Sequence, residues 1–216
     1  MEIKFCNTNY KLAINDHWQV LQKRPEDPEE LTVIGLNHEN CYSIIFMNQI
    51  TDKEIMPIWD KNLTINSTRH YLAENQGIIE IDNNLDKFPY IYTIVKAPQK
   101  EHGNHYLFNF HIQINNNYYS IEGMFDETGT TGVRDSVVFE FCRRENIVRV
   151  EEVDGKMNII GWNEDPYDKN YKKGFLMNLS EKREFDEKFP FHPLSEARNL
   201  LKDLINSFNR IYDEKK

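Results

Sequence analysis

Residues 105–125 read HYLFNFHIQINNNYYSIEGMF and predict a β-hairpin. Large apolar residues occupy every second position from Tyr106 to Ile114, and mostly polar residues lie between them. A period of two is typical of a strand that buries one face. Residues 115–117 are three asparagines and predict the turn, because asparagine tolerates left-handed backbone. Residues 118–125 then return as the partner strand, so we expect an antiparallel sheet here.

Further strands are predicted before this hairpin. Each is a run rich in β-forming residues: 10–14, 18–21, 31–36, 42–50, 78–81 and 90–97. Residues 23–30 (KRPEDPEE) contain two prolines and four carboxylates, and therefore predict a loop. Asn83 and Asn84 predict a turn before the last of these strands.

Capping residues and the helical period predict the helices. Thr51 to Glu54 has the capping-box pattern and predicts a helix, and a second helical stretch is expected with Pro57 in its first turn and Gly77 at its end. Ser180 is expected to cap a short charged helix that ends before Phe189.

Two helices have a defined apolar face. The turn GTTG at residues 129–132 begins the first, and its predicted apolar face is Val133, Val137, Val138, Phe141 and Cys142. Pro193 begins the last helix, whose apolar stripe is Leu194, Ala197, Leu201, Leu204, Ile205, Phe208 and Tyr212. We expect this stripe to make the last helix part of the fold.

Residues 147–173 leave two questions open. Residues 147–160 fit a short hairpin around Asp154-Gly155, or a continuation of the preceding helix to about Glu152. The loop at 161–173 combines aromatic and acidic side chains, which either bind a protein partner or pin the C-terminal segment onto the sheet. The candidate partner-binding residues are Trp162, Glu164, Asp165, Tyr167, Asp168 and Tyr171.

These elements predict an α+β fold in which a curved antiparallel sheet is flanked by helices. A chain of 216 residues can bury about 70% of its surface without disulfide or metal support. We expect one α+β domain at residues 1–150, and a C-terminal extension at 151–216 that ends in a helix and packs on the same domain.

Charge and composition restrict the partners. The chain has 26 basic and 35 acidic residues, a net charge of -9, which disfavours nucleic acid and favours a basic protein partner. Its apolar runs are too short to span a bilayer. The N-terminus lacks the pattern of a signal peptide, and Cys6, Cys41 and Cys142 are expected to be buried free thiols. We therefore expect a cytoplasmic protein that is a monomer or a weak dimer.

The chemistry-bearing residue types do not form a recognisable site. His102, His105 and His111 are the main histidine cluster, but the last two lie about 20 Å apart along one strand, too far to share a metal. The turn GTTG lacks the rest of a phosphate-binding motif. Acidic residues at 126–127, 151–152, 164–165 and 168 are expected in solvated loops. We expect no catalytic residues, no metal and no cofactor.

The order of elements through residue 150 resembles the PsbP/DcrB-like superfamily. The resemblance rests on YKLAINDHW (10–18), the strands before the helix at 52–75, the long strands from Tyr90 to Phe125, and GTTGVRDSVVFEF (129–141). It implies a curved antiparallel sheet between helices in a protein that binds other proteins. It provides no site residues, and the segment after residue 160 lies outside it.

The sequence thus favours a bacterial cytoplasmic protein that binds a protein partner without catalysis, such as a chaperone, an adaptor or a toxin-neutralising immunity protein. The alternative is a small hydrolase or ligand-binding protein that uses a groove between the sheet and the extension. A deep pocket with convergent carboxylate and histidine groups would favour the alternative.

Overall fold

In the computed structural model, which describes residues 1–50 and 55–214, most strands join one antiparallel sheet. The strands are β1 (Glu2–Lys4), β2 (Lys11–Ala13), β3 (Gln19–Val20), β4 (Thr32–His38), β5 (Cys41–Ile50), β6 (Gly77–Asn84), β7 (Tyr90–Pro98), β8 (Asn104–Ile114), β9 (Asn117–Glu127), β10 (Arg149–Val153) and β11 (Lys156–Ile160). The helices are α1 (Lys61–Tyr71), α2 (Val133–Arg144), α3 (Pro193–Asp213) and two short 3-10 helices at Leu179–Glu181 and Arg183–Lys188. The α+β fold class is confirmed.

The sheet has the order β3-β4-β5-β9-β8-β7-β6. Its centre is the predicted hairpin, in which Phe108 lies opposite Gly123 and Phe110 lies opposite Ile121. The alternating apolar residues from Tyr106 to Ile114 are all buried, as predicted. Asn115 and Asn116 have φ of 50° and 65° and form the turn. The period of two therefore identified both the strands and the buried face.

Helix α3 covers the inner face of the sheet and completes the main core. Pro193 is its first residue, as predicted, and His192 caps it by accepting a hydrogen bond from the Leu194 amide. The buried apolar residues of this helix are Leu194, Ala197, Leu200, Leu201, Leu204, Phe208 and Ile211. They share one hydrophobic cluster with strands β1, β2, β4, β5 and β6–β9. The predicted apolar stripe thus fixes how the helix packs.

Helix α1 lies on the outer face of the sheet, beside β6. Ile65 of the helix packs with Ile78 and Ile81 of the strand. The predicted boundaries of this helix were wrong: it starts after Asp60, which accepts a hydrogen bond from the Leu63 amide, and it ends at Tyr71. The predicted capping box at 51–54 lies outside the described residues.

Two predictions on either end of β6 were also wrong, namely that Gly77 ends a helix and that Asn83 and Asn84 form a turn. Gly77 begins β6, where a Cβ atom would lie 1.8 Å from the Phe175 carbonyl oxygen. Gly77 is therefore required by a close backbone approach and not by a helix end. Asn83 and Asn84 pair with Ile91 and Tyr90 inside the β6–β7 ladder, so the chain turns only after them.

Residues 149–160 form a separate hairpin, β10–β11, and α2 ends at Arg144. Asp154 and Gly155, with φ of 53° and 72°, make its two-residue turn. Every residue of both strands is exposed. The question left open by the sequence is thus decided in favour of a hairpin, which projects from the end of α2.

The length and hydropathy of the helices bear on membrane insertion. Across the described part of the chain, none of them is both long enough and apolar enough to cross a bilayer.

Candidate protein-binding surface

A buried ion pair fixes the C-terminal extension to the sheet. Lys96 on β7 donates to Glu181 over 2.8 Å, and both side chains are completely buried. Tyr106 donates to the same carboxylate, and burial together with that carboxylate raises the tyrosine pKa. The backbone amide of Asn178 also donates to Glu181, which closes a capping box. Asn178 is therefore the cap of this segment, and the prediction of Ser180 was wrong.

Arg134 on α2 is the second anchor of the extension, and its guanidinium is buried. It donates to the Ser180 carbonyl oxygen at 2.7 Å, to Ser195 at 2.9 Å and to Asp186 at 2.9 Å. Arg198 of α3 donates to the same Asp186 carboxylate at 3.0 Å. The sheet, α2, the 3-10 segment and α3 are thus held together through charged hydrogen bonds, which are stronger than neutral ones.

The anchor continues to the edge strand β6. Glu80 accepts hydrogen bonds from Arg183, Arg198 and the Tyr92 hydroxyl. Burial raises the pKa of Glu80, but the guanidinium of Arg183 and that of Arg198 outweigh it and hold the pKa below its usual value. This carboxylate is therefore ionised in the folded protein.

Because α2 is anchored through Arg134, it buries only two residues of the predicted apolar face, Val138 and Cys142. Arg134, Val138 and Cys142, spaced four apart, face the protein. Val133, Val137 and Phe141 belong to the next row and are 43%, 54% and 47% exposed. The predicted apolar face was therefore wrong for these three residues, which form an apolar row on the surface about 12 Å long at 1.5 Å per residue.

The exposed row on α2 borders a cavity of about 230 Å³. Val133 lines the cavity at one end of the row, and Phe189, Pro190 and Phe191 line the cavity wall. Lys188 also lines the cavity and holds its ammonium 5.6 Å from the centre of the Phe141 ring. We call this surface, formed by Val133, Val137, Phe141 and residues 188–191, the α2 groove.

Two titratable groups of the cavity, Glu127 and His192, already have protein partners. Glu127 accepts hydrogen bonds from the Gly132 amide at 2.7 Å and the Asn104 amide at 3.2 Å. Burial raises the pKa of Glu127. His192 uses Nδ1 to cap α3, so Nε2 carries its hydrogen and lies 3.9 Å from Glu127. Burial and the charge of Arg134 hold the pKa of His192 well below its usual value.

A second cavity of about 370 Å³ lies on the other side of Phe191 and is lined by His17 and His38. The Asn40 amide donates to Nδ1 of His38, so Nε2 donates to Glu196 at 3.2 Å. Carboxylate and histidine groups therefore approach both cavities, as the alternative function requires. In each pair, however, the histidine also accepts a backbone hydrogen bond, which caps α3 in the case of His192 and closes a turn in the case of His38.

The loop at 161–173 holds its predicted partner-binding residues in different environments. Asp165 is buried and binds Arg69 at 2.5 Å, and Trp162 packs on Phe139 with ring centroids 5.1 Å apart. The Tyr167 hydroxyl donates to the Ile81 carbonyl oxygen at 2.7 Å. Tyr171 stacks on Arg69, whose guanidinium carbon lies 4.8 Å from the ring centroid. These contacts are those expected of a pinning loop.

Only Glu164 and Asp168 of that loop set have exposed side chains. The structure brings Asp165, Tyr167 and Tyr171 together around Arg69 and β6, whereas Trp162 lies against α2. A role of the six residues in partner binding stays a prediction. The expectation that the acidic residues lie in solvated loops was wrong for Glu127 and Asp165, which are buried and organise turns. It was also wrong for Asp126, Glu151 and Glu152, which lie in strands β9 and β10.

The histidine cluster of the sequence is dispersed, with His102 in the turn before β8 and with His105 and His111 on that strand. His105 binds Asp126, while His111 accepts a hydrogen bond from the Met56 amide and burial lowers its pKa to about 4. Within residues 1–50 and 55–214, no three histidine, cysteine or acidic side chains are grouped as a metal site requires. The three cysteines are buried free thiols, as predicted, and burial raises the pKa of Cys6 to about 12.

Sequence reasoning missed the residues that anchor the extension. One signal for them was present, because Lys96 follows Tyr92 and Ile94 on the buried face of β7. A lysine at an inward position requires a buried carboxylate partner. Which of the many acidic residues provides it depends on the packing of the extension, which no local pattern contains.

Comparison with protein-family models and with curated proteins gives no match to this chain.

Proposed function

We propose that this chain is a cytoplasmic, non-enzymatic protein-binding module, and that it binds its partner through the α2 groove. The observation that carries the proposal is the exposure of Val133, Val137 and Phe141 in one row beside an apolar-walled cavity. Apolar side chains clustered next to a cavity are typical of the centre of a protein interface.

The other side of α2 supports this proposal. Arg134 holds the helix rigidly against the extension through four hydrogen bonds, so the exposed row does not need to order itself when a partner arrives. A preorganised surface loses less conformational entropy on binding. The groove therefore offers a partner a fixed row of apolar contacts.

The fitting partner is a segment that inserts an apolar side chain beside Phe191 and lays further apolar residues along α2. The net charge of -9 speeds its encounter with a basic protein, while the groove itself supplies the short-range contacts. The resemblance to the PsbP/DcrB-like superfamily, whose members mostly bind proteins, agrees with this role.

Site-specific photo-crosslinking in the source cell tests the proposal. A benzophenone amino acid at position 137 should yield one discrete crosslinked species. The same group at Tyr71 of α1, which is 83% exposed and lies outside the groove, is the matched control and should yield none. The crosslink at 137 should weaken at least tenfold when Phe141→Asp is added, because a charge cannot be buried in an apolar contact.

Equal labelling from both positions, or a crosslink that is indifferent to Phe141→Asp, would contradict the proposal. Absence of any crosslinked protein, together with a small molecule that protects the protein against heat and loses this effect in Phe191→Ala, would favour the ligand-binding alternative.

A further inference from the structure

The β10–β11 hairpin offers backbone hydrogen-bonding groups at an open edge. Among the described residues, no strand pairs with the outer edge of β10 or of β11. An isolated two-stranded hairpin is marginally stable in water, and a free edge is a template for another strand. The hairpin also exposes large apolar residues, which are Val150, Val153, Met157, Ile159 and Ile160.

The register of the hairpin defines which groups face outward. Val153 and Lys156 flank the two-residue turn and lie opposite each other, as do Glu151 and Asn158. The pair next to such a turn exchanges both of its backbone hydrogen bonds, and bonding alternates along the strand. The amides and carbonyls of Met157 and Ile159 therefore point away from β10, toward the open edge of β11.

These outward groups suit a second copy of the same strand. If two β11 strands pair antiparallel about a two-fold axis at Asn158, then Met157 of one copy lies opposite Ile159 of the other. Four backbone hydrogen bonds then close around the axis, and the Met157 and Ile159 side chains of the two copies lie beside each other. The two Asn158 side chains meet on the axis as amides, which bond to each other without repulsion.

The other edge is unsuited to the same pairing. Antiparallel pairing of two β10 strands about their centre would place Glu151 opposite Glu151, and would place Val150 opposite Glu152. Like charges directly opposite in a sheet are destabilising. Charge and register thus select β11 as the self-complementary edge.

We propose that two copies of this chain associate through their β11 edges into a four-stranded antiparallel sheet with the order β10-β11-β11-β10. The contact is small, so the dimer is weak and forms at high concentration. The α2 groove lies outside this contact, so the dimer does not depend on the proposed function.

Cysteine crosslinking tests the register directly. Asn158→Cys places two thiols in a pair without backbone hydrogen bonds, where the Cα atoms are about 4.5 Å apart and a disulfide fits. With oxidised glutathione as the oxidant, most of this variant should become a disulfide-linked dimer. Glu151→Cys, at the centre of β10, is the matched control and should stay monomeric. The three native cysteines are buried and do not compete.

Sedimentation of the protein without added cysteines tests the dimer itself. The wild-type mass should rise toward twice the chain mass from micromolar to millimolar concentration. Ile159→Pro should abolish this rise, because it removes an outward amide without removing a bond inside the hairpin. Glu152→Pro makes the same change on the outer edge of β10 and should leave the dimer intact.

A protein that stays monomeric at millimolar concentration would overturn the proposal, as would a dimer that survives Ile159→Pro or a crosslink of equal yield at 151 and 158. A strand from a different protein on the β11 edge would give the first of these results. Phe141→Asp should leave self-association unchanged, so failure of the groove proposal is distinguishable from failure of this one.

Discussion

Leu204 on α3 is completely buried, whereas Met157 on the β10–β11 hairpin is 68% exposed, although both are large apolar residues after α2. The two regions differ in how their apolar residues are arranged. Those of α3 form one stripe, which packs against the sheet. Those of the hairpin lie on both faces, with Val150, Met157 and Ile159 on one and Val153 and Ile160 on the other. An element that has one apolar face is fixed by burial, and the hairpin has no such face.

The anchoring of the two regions differs as well. The segment that leads into α3 is held by Glu181, Asp186 and Arg198, whose charged groups are paired and are buried or, for Asp186, partly buried. The charged residues of the hairpin are all exposed. Removing a partner should therefore have a large effect in the first region and almost none in the second.

The largest effect is expected from Glu181→Ala. The change leaves the ammonium of Lys96 buried without a counter-charge, and breaking a buried pair costs about 3–5 kcal/mol of unfolding free energy. Urea denaturation measures the loss. The double variant Lys96→Met/Glu181→Leu should recover most of it, because neither charge is then buried alone. A double variant as unstable as Glu181→Ala would show that the pair itself stabilises the fold.

The second effect is the loss of a core side chain from α3. Leu204→Ala should lower the unfolding free energy by about 2–5 kcal/mol, since it leaves a cavity against the sheet. Met157→Ala removes a side chain of similar size from the hairpin and should change the value by less than about 0.5 kcal/mol. Equal losses at the two positions would mean that the hairpin is buried in the folded protein in solution.

These two regions also show what the sequence can predict. The stripe of α3 and the alternation from Tyr106 to Ile114 were interpreted correctly, because each pattern has one period and one apolar face. The face of α2 was predicted only in part: Val138 and Cys142 are buried, but so is Arg134, at a position that hydrophobicity assigns to solvent. Its burial depends on Ser180, Asp186 and Ser195, which lie 46 to 61 residues away.

The sequence could not predict the candidate surface for the same reason. The sequence placed Val133, Val137 and Phe141 in the core and placed the partner-binding residues in the loop at 161–173. Both assignments depend on which side of α2 meets the extension, and this is decided by long-range charge pairing. Local pattern therefore predicts most of the elements and some of their apolar faces, while the candidate surface follows only from the packing of the elements.

The third effect is the pH dependence of stability that His111 on β8 produces. Burial lowers the pKa of His111 from 6.5 to about 4, so between these values the unfolded chain binds a proton that the native protein does not. Stability should therefore fall as the pH drops from about 6.5 to about 4, by about 2–3 kcal/mol for this group. Protonation would also break the hydrogen bond from the Met56 amide to Nδ1.

Unfolding free energies measured across this range check the prediction. His111→Asn should reduce the slope of the unfolding free energy against pH by up to the value for one bound proton. His102→Asn at the exposed β7–β8 turn should leave this slope unchanged. The remaining slope includes His192, whose pKa burial also lowers. A slope that is the same in wild type and His111→Asn would show that His111 is open to solvent.

The smallest effect comes from two glycines with the same left-handed φ. Gly132 at the start of α2 and Gly155 in the hairpin turn both have φ of 72°, and among the described residues no heavy atom outside the adjacent residues lies within 4 Å of a Cβ added at either. Alanine should therefore introduce the same left-handed strain, about 1–2 kcal/mol, at each position. At Gly132 the strain should lower the global unfolding free energy by about this amount, because α2 unfolds with the core. At Gly155 the global value should stay constant, since the hairpin opens without disturbing the rest.

Hydrogen exchange separates the two: Gly155→Ala should speed exchange at residues 149–160 alone, while Gly132→Ala should speed exchange of the slowest core amides. A global loss from Gly155→Ala equal to that from Gly132→Ala would contradict the independence of the hairpin from the core.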